Sequence, residues 1–213
     1  MSRGSTDPLD EVAVAIRVVT GQAASALVAQ QFRQYLDLFL RWNRTHRMTA
    51  LDSPAAVVRG LFVDSLLFFP LLPPRPLSIL DIGAGAGIPG IPLRLADPQI
   101  SLTLVESKQK RVSFLLTARR ELNLENVVVM EGRAEGLLEQ EQRLAEAFDV
   151  AVARAVGPTE ALLPIALRYL KPGGLFIVSA PPSPIGQAPL EVVRVPIPGS
   201  RGTRAFLRAV KES

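Results

Sequence analysis

Two acidic residues frame a glycine-rich segment in the middle of the chain. Asp81 precedes the alternating glycines Gly83, Gly85 and Gly87, and Glu106 closes the next apolar run. Glycines tolerate positive φ values and let a ligand approach backbone N–H groups, because no Cβ intervenes. An acidic side chain about 20 residues past such a loop can accept hydrogen bonds from ribose hydroxyls. This spacing predicts a site for a nucleotide-containing cofactor.

Apolar strands and amphipathic helices alternate around this segment. Strands are predicted at 78–82, 101–105, 127–130, 148–153 and 175–179. Helices are predicted in a short stretch after the glycines and at 109–122, 137–147 and 158–170. An edge hairpin is predicted from two strand-like runs joined by a turn, 190–196 and 203–210. Because parallel strands are joined by helices that cover both faces, the alternation predicts a mostly parallel, doubly wound α/β sheet.

The residues before the first strand have a different pattern. A helix over 25–44 is predicted by apolar residues that recur every three or four positions. A second helix is predicted to begin at Ser53-Pro54, which match an N-cap and a first helical residue, and to end at Pro70. Prolines then form a stiff linker. We therefore expect a helical extension over 1–76 and a core over 77–213.

The residues around the glycines favour one cofactor over another. Glu106 does not separate NAD from S-adenosylmethionine, because both carry a ribose. Asp81 does, since an acidic residue before the glycines resembles methyltransferase loops, whereas NAD loops usually carry an apolar residue there. The turn predicted at Lys171–Gly174 is also similar to methyltransferases. We therefore predict S-adenosylmethionine on a Rossmann-like class I methyltransferase sheet.

Other residues are expected at the same crevice because they follow the carboxyl ends of predicted strands. They are Ala134, Glu135 and Arg154. Structural roles stay open for three residues of the site. Asp81 could cap a local turn, Glu135 could favour a helix start through the macrodipole, and Arg154 could pair with a nearby carboxylate.

A polar pair, Asp64 and Ser65, interrupts the apolar run of the second helix. Buried polar groups need partners. The pair could either anchor the helical extension against the cofactor loop or face the substrate pocket. With Arg154, these are the residues that could contribute at the reacting groups, although we assign no catalytic residue.

The chain contains no cysteine. It therefore has no disulfide framework, zinc–thiolate site or thiol nucleophile, and we assign no metal. Methylation of pyrimidine C5 needs a covalent cysteine adduct, so the absence of cysteine argues against that reaction. The Asn-Pro-Pro-aromatic motif of amino-group methylation is also missing.

Neither a membrane span nor a signal peptide is recognisable in the sequence. No apolar run reaches the roughly 20 residues of a membrane helix, and 1–8 lacks a basic-then-apolar pattern. We therefore expect a cytoplasmic monomer that does not contact membranes.

Basic residues give the chain a formal charge of +4, which leans modestly toward an anionic partner. Those expected to bind the phosphates of a nucleic-acid partner are Arg41, Arg44, Arg47, Lys110 and Arg111. A further basic group is Arg201, Arg204 and Arg208. The helical spacing of Trp42 favours a core role for it over base stacking.

Several longer motifs together resemble one family. They are Trp42-Asn43, Phe62–Leu66, Asp81–Leu93, Glu106-Ser107, Lys110–Leu115, Arg133–Glu135 and Arg154-Ala155. Over about 35–180, the chain resembles the glucose-inhibited division protein B (GidB, or RsmG) family of ribosomal RNA methyltransferases. It differs from the usual family pattern at Leu61, at Arg47–Thr49 and at Ala180–Pro182.

The resemblance implies methylation of N7 of a guanine in the 16S ribosomal RNA of the small subunit. Guanine N7 carries a lone pair and no proton, so this reaction needs positioning rather than a general base. The implied cofactor contacts are Gly83, Ile88, Glu106, Ala134, Glu135 and Arg154. Alternatives are another RNA site, a small-molecule substrate, or an RNA-binding relative without activity.

Overall fold

Among the residues that the structure describes, seven strands form a single sheet at the centre of the protein. The computed structural model describes residues 7–74, 77–154, 156–186 and 188–212. The strands are β1 Ser78–Ile82, β2 Ser101–Glu106, β3 Val127–Glu131, β4 Phe148–Ala153, β5 Leu170–Ser179, β6 Glu191–Pro196 and β7 Thr203–Val210. Their order is β3-β2-β1-β4-β5-β7-β6. Strands β1 to β5 are parallel, and β7 is antiparallel to β5 and β6, which confirms the predicted sheet with a terminal hairpin.

Helices cover both faces of this sheet. They are α1 Asp10–Thr20, α2 Ala26–His46, α3 Pro54–Val57, a π-helix Val58–Val63, α4 Asp64–Leu66, a 3₁₀ turn Phe69–Leu71, α5 Gly90–Ala96, α6 Gln109–Glu121, α7 Ala134–Gln140, a 3₁₀ turn Gln142–Leu144 and α8 Thr159–Tyr169. Successive strand residues face opposite sides, so Ile79 packs under α1 to α6 and Leu80 packs under α7 and α8. The result is a three-layer α/β fold with two cores.

The helical extension begins as the sequence predicts. The hydroxyl of Ser25 accepts a hydrogen bond from the Val28 N–H and that of Ser53 accepts one from the Ala56 N–H, so both residues cap helices. The second helix was expected to continue to Pro70, and this expectation is wrong. It changes to a π-helix and its last α-helical residue is Leu66, while Pro70 lies in a separate 3₁₀ turn.

Two predictions within the core are also corrected. The helix expected at 137–147 begins at Ala134 and ends at Gln140, because the backbone of Glu141 leaves the helical region. The turn expected at Lys171–Gly174 lies inside the bounds of β5 as a bulge, since the pairing with β4 passes from Leu170 to Leu175 and Gly173 has φ +77°. There the Gly173 N–H donates to the Lys211 carbonyl, just after β7.

The apolar segment Pro54–Leu71 is long and apolar enough to cross a membrane, judged by length and composition alone. In the described chain it packs inside the protein, where Phe62, Leu66 and Phe68 are fully buried. The Phe68 ring meets that of Phe206 on β7, with 4.8 Å between centroids. The segment therefore belongs to the core below β1.

The division proposed at residue 76 falls outside the described residues. On either side of it, the extension and the sheet share one hydrophobic cluster that contains both Phe62 and Ile79. The extension is therefore packed against the strand that leads to the glycine segment.

Candidate functional site

The glycine segment forms a loop between β1 and α5, at the point where the strand order reverses. Gly83, Gly85 and Gly87 have φ values of +70°, +60° and +81°. A Cβ on Gly87 would lie 2.3 Å from Ile91, so this glycine is needed for packing. A Cβ on Gly85 would meet no protein atom closer than 3.8 Å. The backbone at Gly85 therefore forms an open surface that a ligand can approach.

Asp81 lies beneath this loop rather than in the cleft. It is 0 % exposed, and its Oδ2 accepts a hydrogen bond of 2.9 Å from the Gly90 N–H at the start of α5. Burial raises the pKa of this carboxyl to about 7, against the hydrogen bond from Gly90 and with repulsion from Glu106. Of the two roles considered for Asp81, the geometry favours positioning of the loop and helix over contact with a ligand.

Glu106 is held rigidly at the end of β2. Its Oε2 accepts a hydrogen bond of 2.9 Å from the Gly85 N–H, and its Oε1 accepts one of 2.8 Å from the Lys108 N–H. The carboxylate is 3 % exposed and lies 3.7 Å from a guanidinium nitrogen of Arg111. A hydrogen-bond acceptor is thus fixed beside the open face of the loop.

Two cavities flank the loop and share Gly83. The first, the Glu135 cavity, measures ≈ 220 Å³ and is lined by Ala134, Glu135 and neighbouring residues of α8. The second, the Arg154 cavity, measures ≈ 280 Å³. Its walls include Gly85, Ile88, Leu61, Met48, Arg111 and Arg154. An elongated ligand that crosses Gly83 would occupy both cavities. Glu106 lines neither of them, but its neighbours Val105 and Ser107 line the first cavity and its hydrogen-bond partner Gly85 lines the second.

Arg154 pairs with a carboxylate, as one of the two interpretations of the sequence held. Its Nη2 donates a hydrogen bond of 2.6 Å to the Gly60 carbonyl in the π-helix and lies 3.3 Å from Asp64 Oδ2. Burial lowers the pKa of Arg154, and Asp64 opposes that shift. Ser65 donates back to the Leu61 carbonyl at 2.6 Å. Asp64 therefore anchors the extension to the sheet, whereas Ser65 bonds only within its own helical segment.

Among the described residues, the basic side chains divide between those that have a carboxylate partner and those that do not. Arg44 and Arg47 line a third cavity of ≈ 690 Å³, the Arg44 cavity, which shares Thr49 with the Arg154 cavity. Arg41 is paired with Glu121 at 3.0 Å. Lys110 is exposed at the start of α6, whereas Arg111 turns toward Glu106.

Within the C-terminal basic group, Arg204 does not extend into solvent. Arg204 turns inward, and its Nε lies 2.9 Å from Asp64 Oδ1. Arg208 pairs with Glu191 at 2.9 Å. Trp42 packs edge-on against Phe114, with 5.5 Å between ring centroids, which confirms its core role.

Comparison with known proteins decides the family. Residues 28–180 match the sequence profile of GidB, described as rRNA small subunit methyltransferase G. The chain belongs to the GidB family. The family match contains the glycine loop, Glu106, Ala134, Glu135 and Arg154, but it ends before β6 and β7.

Curated relatives carry the family name. Ribosomal RNA small subunit methyltransferase G of Xanthomonas oryzae pv. oryzae is 35% identical over 196 residues, which are 88% of this chain and 89% of that protein. The protein of that name from Lactococcus lactis subsp. lactis is 36% identical over 150 residues, 70% of this chain. The aligned part spans only 63% of the Lactococcus protein.

Solved structures show the fold. A SAM dependent methyltransferase from Aquifex aeolicus superposes with a TM-score of 0.55 at 14% identity, over 78% of this chain and 97% of that one. With the strand order above, this likeness establishes a Rossmann-like class I methyltransferase fold and confirms the predicted fold class.

Two features of the site were not found from the sequence. Tyr35 was assigned to the apolar face of α2, yet its hydroxyl reaches the glycine loop. Arg204 was grouped with Arg201 and Arg208 as basic residues, and its ion pair with Asp64 was not expected. A signal existed for Tyr35 alone, because a buried tyrosine hydroxyl requires a hydrogen-bond partner.

Proposed function

We propose that this protein uses S-adenosylmethionine to methylate N7 of a guanine in 16S ribosomal RNA. The observation that carries the proposal is the carboxylate of Glu106, fixed by the N–H of Gly85, a residue of the glycine loop along which two cavities share Gly83. Membership of the GidB family supports the choice of ribosomal RNA as substrate.

The residues present fit the proposed cofactor. Glu106 would accept hydrogen bonds from the ribose hydroxyls, because a fixed carboxylate retains lone pairs beyond the two that its backbone donors use. The Glu135 cavity, with backbone groups at Gly132 and Ala134, would receive the adenine. The methionine end would then lie in the Arg154 cavity, against Gly85 and Ile88. Asp81 would act from below by holding Gly90.

The proposed reaction needs no general base from the protein. When bound, S-adenosylmethionine supplies a methyl group that is activated by a sulfonium leaving group. Guanine N7 forms the new bond with its own lone pair, and the electrons of the broken bond go to sulfur, so no proton is removed. The apolar side chains of Phe39, Met48 and Leu61 would orient the base and exclude water from this cavity.

RNA would approach over the Arg44 cavity. Its rim carries Arg44 and Arg47, which are exposed and for which we find no carboxylate partner within the described chain. Thr49 connects this cavity with the Arg154 cavity. Phosphates on exposed arginines would thus place an unpaired base beside the methionine end of the cofactor site. Arg41, which is paired with Glu121, would contribute less.

The biological setting follows from the proposed substrate. A partner of this kind is the small ribosomal subunit, in the cytoplasm, with the protein acting as a monomer away from membranes. The burial of Pro54–Leu71 in the core is consistent with that setting.

Transfer of labelled methyl groups tests the function. Small ribosomal subunits that lack the modification are incubated with the protein and methyl-labelled S-adenosylmethionine, and the label is located by borohydride reduction and aniline cleavage, which act at 7-methylguanosine. We expect label at one guanine N7. Label on an amino group or on a pyrimidine carbon would refute the N7 assignment.

Cofactor binding is tested separately by thermal unfolding. At a cofactor concentration 100-fold above Kd, the folded state gains about 2.7 kcal/mol. An unchanged Tm at saturating S-adenosylmethionine would reject the enzyme. Cofactor binding without transfer to any RNA would favour a relative that has kept the site and lost turnover.

A further inference from the structure

Asp64 connects two arginines from distant parts of the chain. Its Oδ2 lies 3.3 Å from Arg154 Nη2, at the end of β4, and its Oδ1 lies 2.9 Å from Arg204 Nε on β7. The three side chains are 15 %, 20 % and 24 % exposed in the order Asp64, Arg154, Arg204. This row of charges therefore joins the helical extension, the central sheet and the terminal hairpin in a largely dry environment.

Each arginine is also fixed by a backbone carbonyl. Arg154 Nη2 donates to Gly60 at 2.6 Å, and Arg204 Nη1 donates to Ala180 at 2.9 Å. Because both carboxylate oxygens of Asp64 face a guanidinium, the orientation of Asp64 depends on both arginines. Loss of Arg204 would leave one oxygen without its ionic partner and free the carboxylate to rotate.

One nitrogen of Arg154 is left for a ligand. Within the described part of the chain, Nη1 of Arg154 is buried and has no hydrogen-bond partner. Arg154 lines the same cavity as Gly85 and Ile88. The cluster carries two positive charges against one negative charge, which favours an anionic group at this nitrogen. Because Arg154 Nη1 is buried, it suits a carboxylate at the end of a small ligand. The exposed Arg44 and Arg47 suit the phosphates of RNA instead.

We propose that Arg204 is a positioning residue, which acts through Asp64 to aim Arg154 Nη1 at the carboxylate of the methionine end. The inference rests on the proposed cofactor, and it assigns a role to the terminal hairpin, which lies beyond the matched residues 28–180. Arg204 itself does not line the Arg154 cavity as described. Its effect is therefore expected on recognition of the carboxylate and not of the adenosine.

Three ligands separate these effects: S-adenosylmethionine, its decarboxylated analogue, and adenosine. Their dissociation constants are measured by calorimetry for the parent protein and for Arg204→Gln. We expect Arg204→Gln to weaken the binding of S-adenosylmethionine about tenfold, because the charge-assisted hydrogen bond from Arg154 to the carboxylate is misdirected. The other two ligands should bind as before. Arg204→Lys, which keeps the charge, is expected to restore part of the loss.

Arg208→Gln is the matched control, because Arg208 lies on the same strand and is also ion-paired, but with Glu191. It should leave all three affinities unchanged. In an Arg154→Gln background, Arg204→Gln should have no further effect on the preference for the carboxylate. This double-mutant cycle remains decisive if single variants lose some stability, because the preference is a ratio within one protein.

Several outcomes would overturn the positioning role. The first is an equal loss of affinity for all three ligands in Arg204→Gln. The second is an unchanged ratio of the dissociation constants for S-adenosylmethionine and its decarboxylated analogue. The third is a loss confined to RNA binding, which would assign Arg154 to a phosphate. If the parent protein binds no S-adenosylmethionine at all, the proposed function itself fails. The two failures are therefore distinguishable.

Discussion

The hydroxyl of Tyr35 donates a hydrogen bond of 2.5 Å to the carbonyl of Ala86 in the glycine loop. Tyr35 belongs to α2 and is fully buried, and its ring stacks on Phe62 with 4.8 Å between centroids and 9° between planes. Burial, with the negative charge of Asp81, raises the pKa of Tyr35 well above 10, so the hydroxyl stays a donor. The helical extension thus fixes the loop on which the proposed cofactor would lie.

Tyr35→Phe is expected to remove the hydrogen bond that holds the glycine loop while keeping the aromatic ring in the core. The lost hydrogen bond should lower the free energy of unfolding by about 1 kcal/mol and weaken S-adenosylmethionine more than adenosine. Urea unfolding and calorimetry measure the two effects. Tyr169→Phe is the matched variant, since Tyr169 donates at 2.6 Å to the Ala134 carbonyl beside the other cavity. Tyr169→Phe should weaken the binding of adenosine. If both variants lose affinity for the two ligands to the same extent, the assignment of the two cavities is contradicted.

Gly85→Ala should reduce cofactor affinity through the ligand rather than through the protein. The added methyl group meets no protein atom closer than 3.8 Å and projects over the loop surface. The left-handed backbone costs about 1 kcal/mol in stability. Gly21→Ala carries the same strain, with φ +74° and open space around it, at the end of α1. Equal Kd values for S-adenosylmethionine in both variants would remove Gly85 from the site.

Asp81 should make stability depend on pH in an unusual direction. The pKa of its carboxyl is about 7 in the folded protein and 3.8 ordinarily. Between these values the folded state keeps a proton that the unfolded chain releases, so stability should fall as pH rises from about 4 to 7 and then level off. Asp81→Asn still accepts from Gly90 but does not titrate. Its Tm relative to the parent should therefore rise across this window.

Asp149 offers a control of opposite sign. Although burial works against it, hydrogen bonds from Lys171 and Ser78 lower the pKa of Asp149. The stability that Asp149 provides should be lost as pH falls through this lowered pKa, and Asp149→Asn should approach the parent in acid. Parallel Tm curves for the parent and Asp81→Asn from pH 4 to 7 would show that Asp81 is ionised throughout.

Arg44→Ala and Arg47→Ala should weaken RNA binding and leave cofactor affinity unchanged. Each lost phosphate contact should reduce the slope of log K against log salt by about 1. Filter binding of a 16S RNA fragment at several salt concentrations measures the slope. Arg17→Ala, an exposed arginine on α1, is the charge-matched control. An effect of the same size for Arg17 would mean that binding follows net charge and not the rim of the Arg44 cavity.

Local sequence patterns were enough to predict the succession of strands and helices along the chain and the position of the glycine loop. These features are local: apolar periods of two or about 3.6 residues, Ser53 before Pro54, and glycines where φ must be positive. The strand spacing that put Gly85 and Glu106 at one edge follows from parallel pairing of β1 with β2. The alternation and the terminal hairpin then sufficed to predict the fold class, and longer motifs such as Asp81–Leu93 indicated the family.

Which polar groups meet depends on packing between distant parts of the chain. Tyr35 and Ala86 are 51 positions apart, and Arg204 near the C-terminal end contacts Asp64 of the helical extension. No periodicity encodes such partners, because a side chain's orientation is set by what packs around it after the sheet has formed. For the same reason Asp81, adjacent in sequence to the loop, lies beneath it: residues alternate across a strand, and its side chain faces α5.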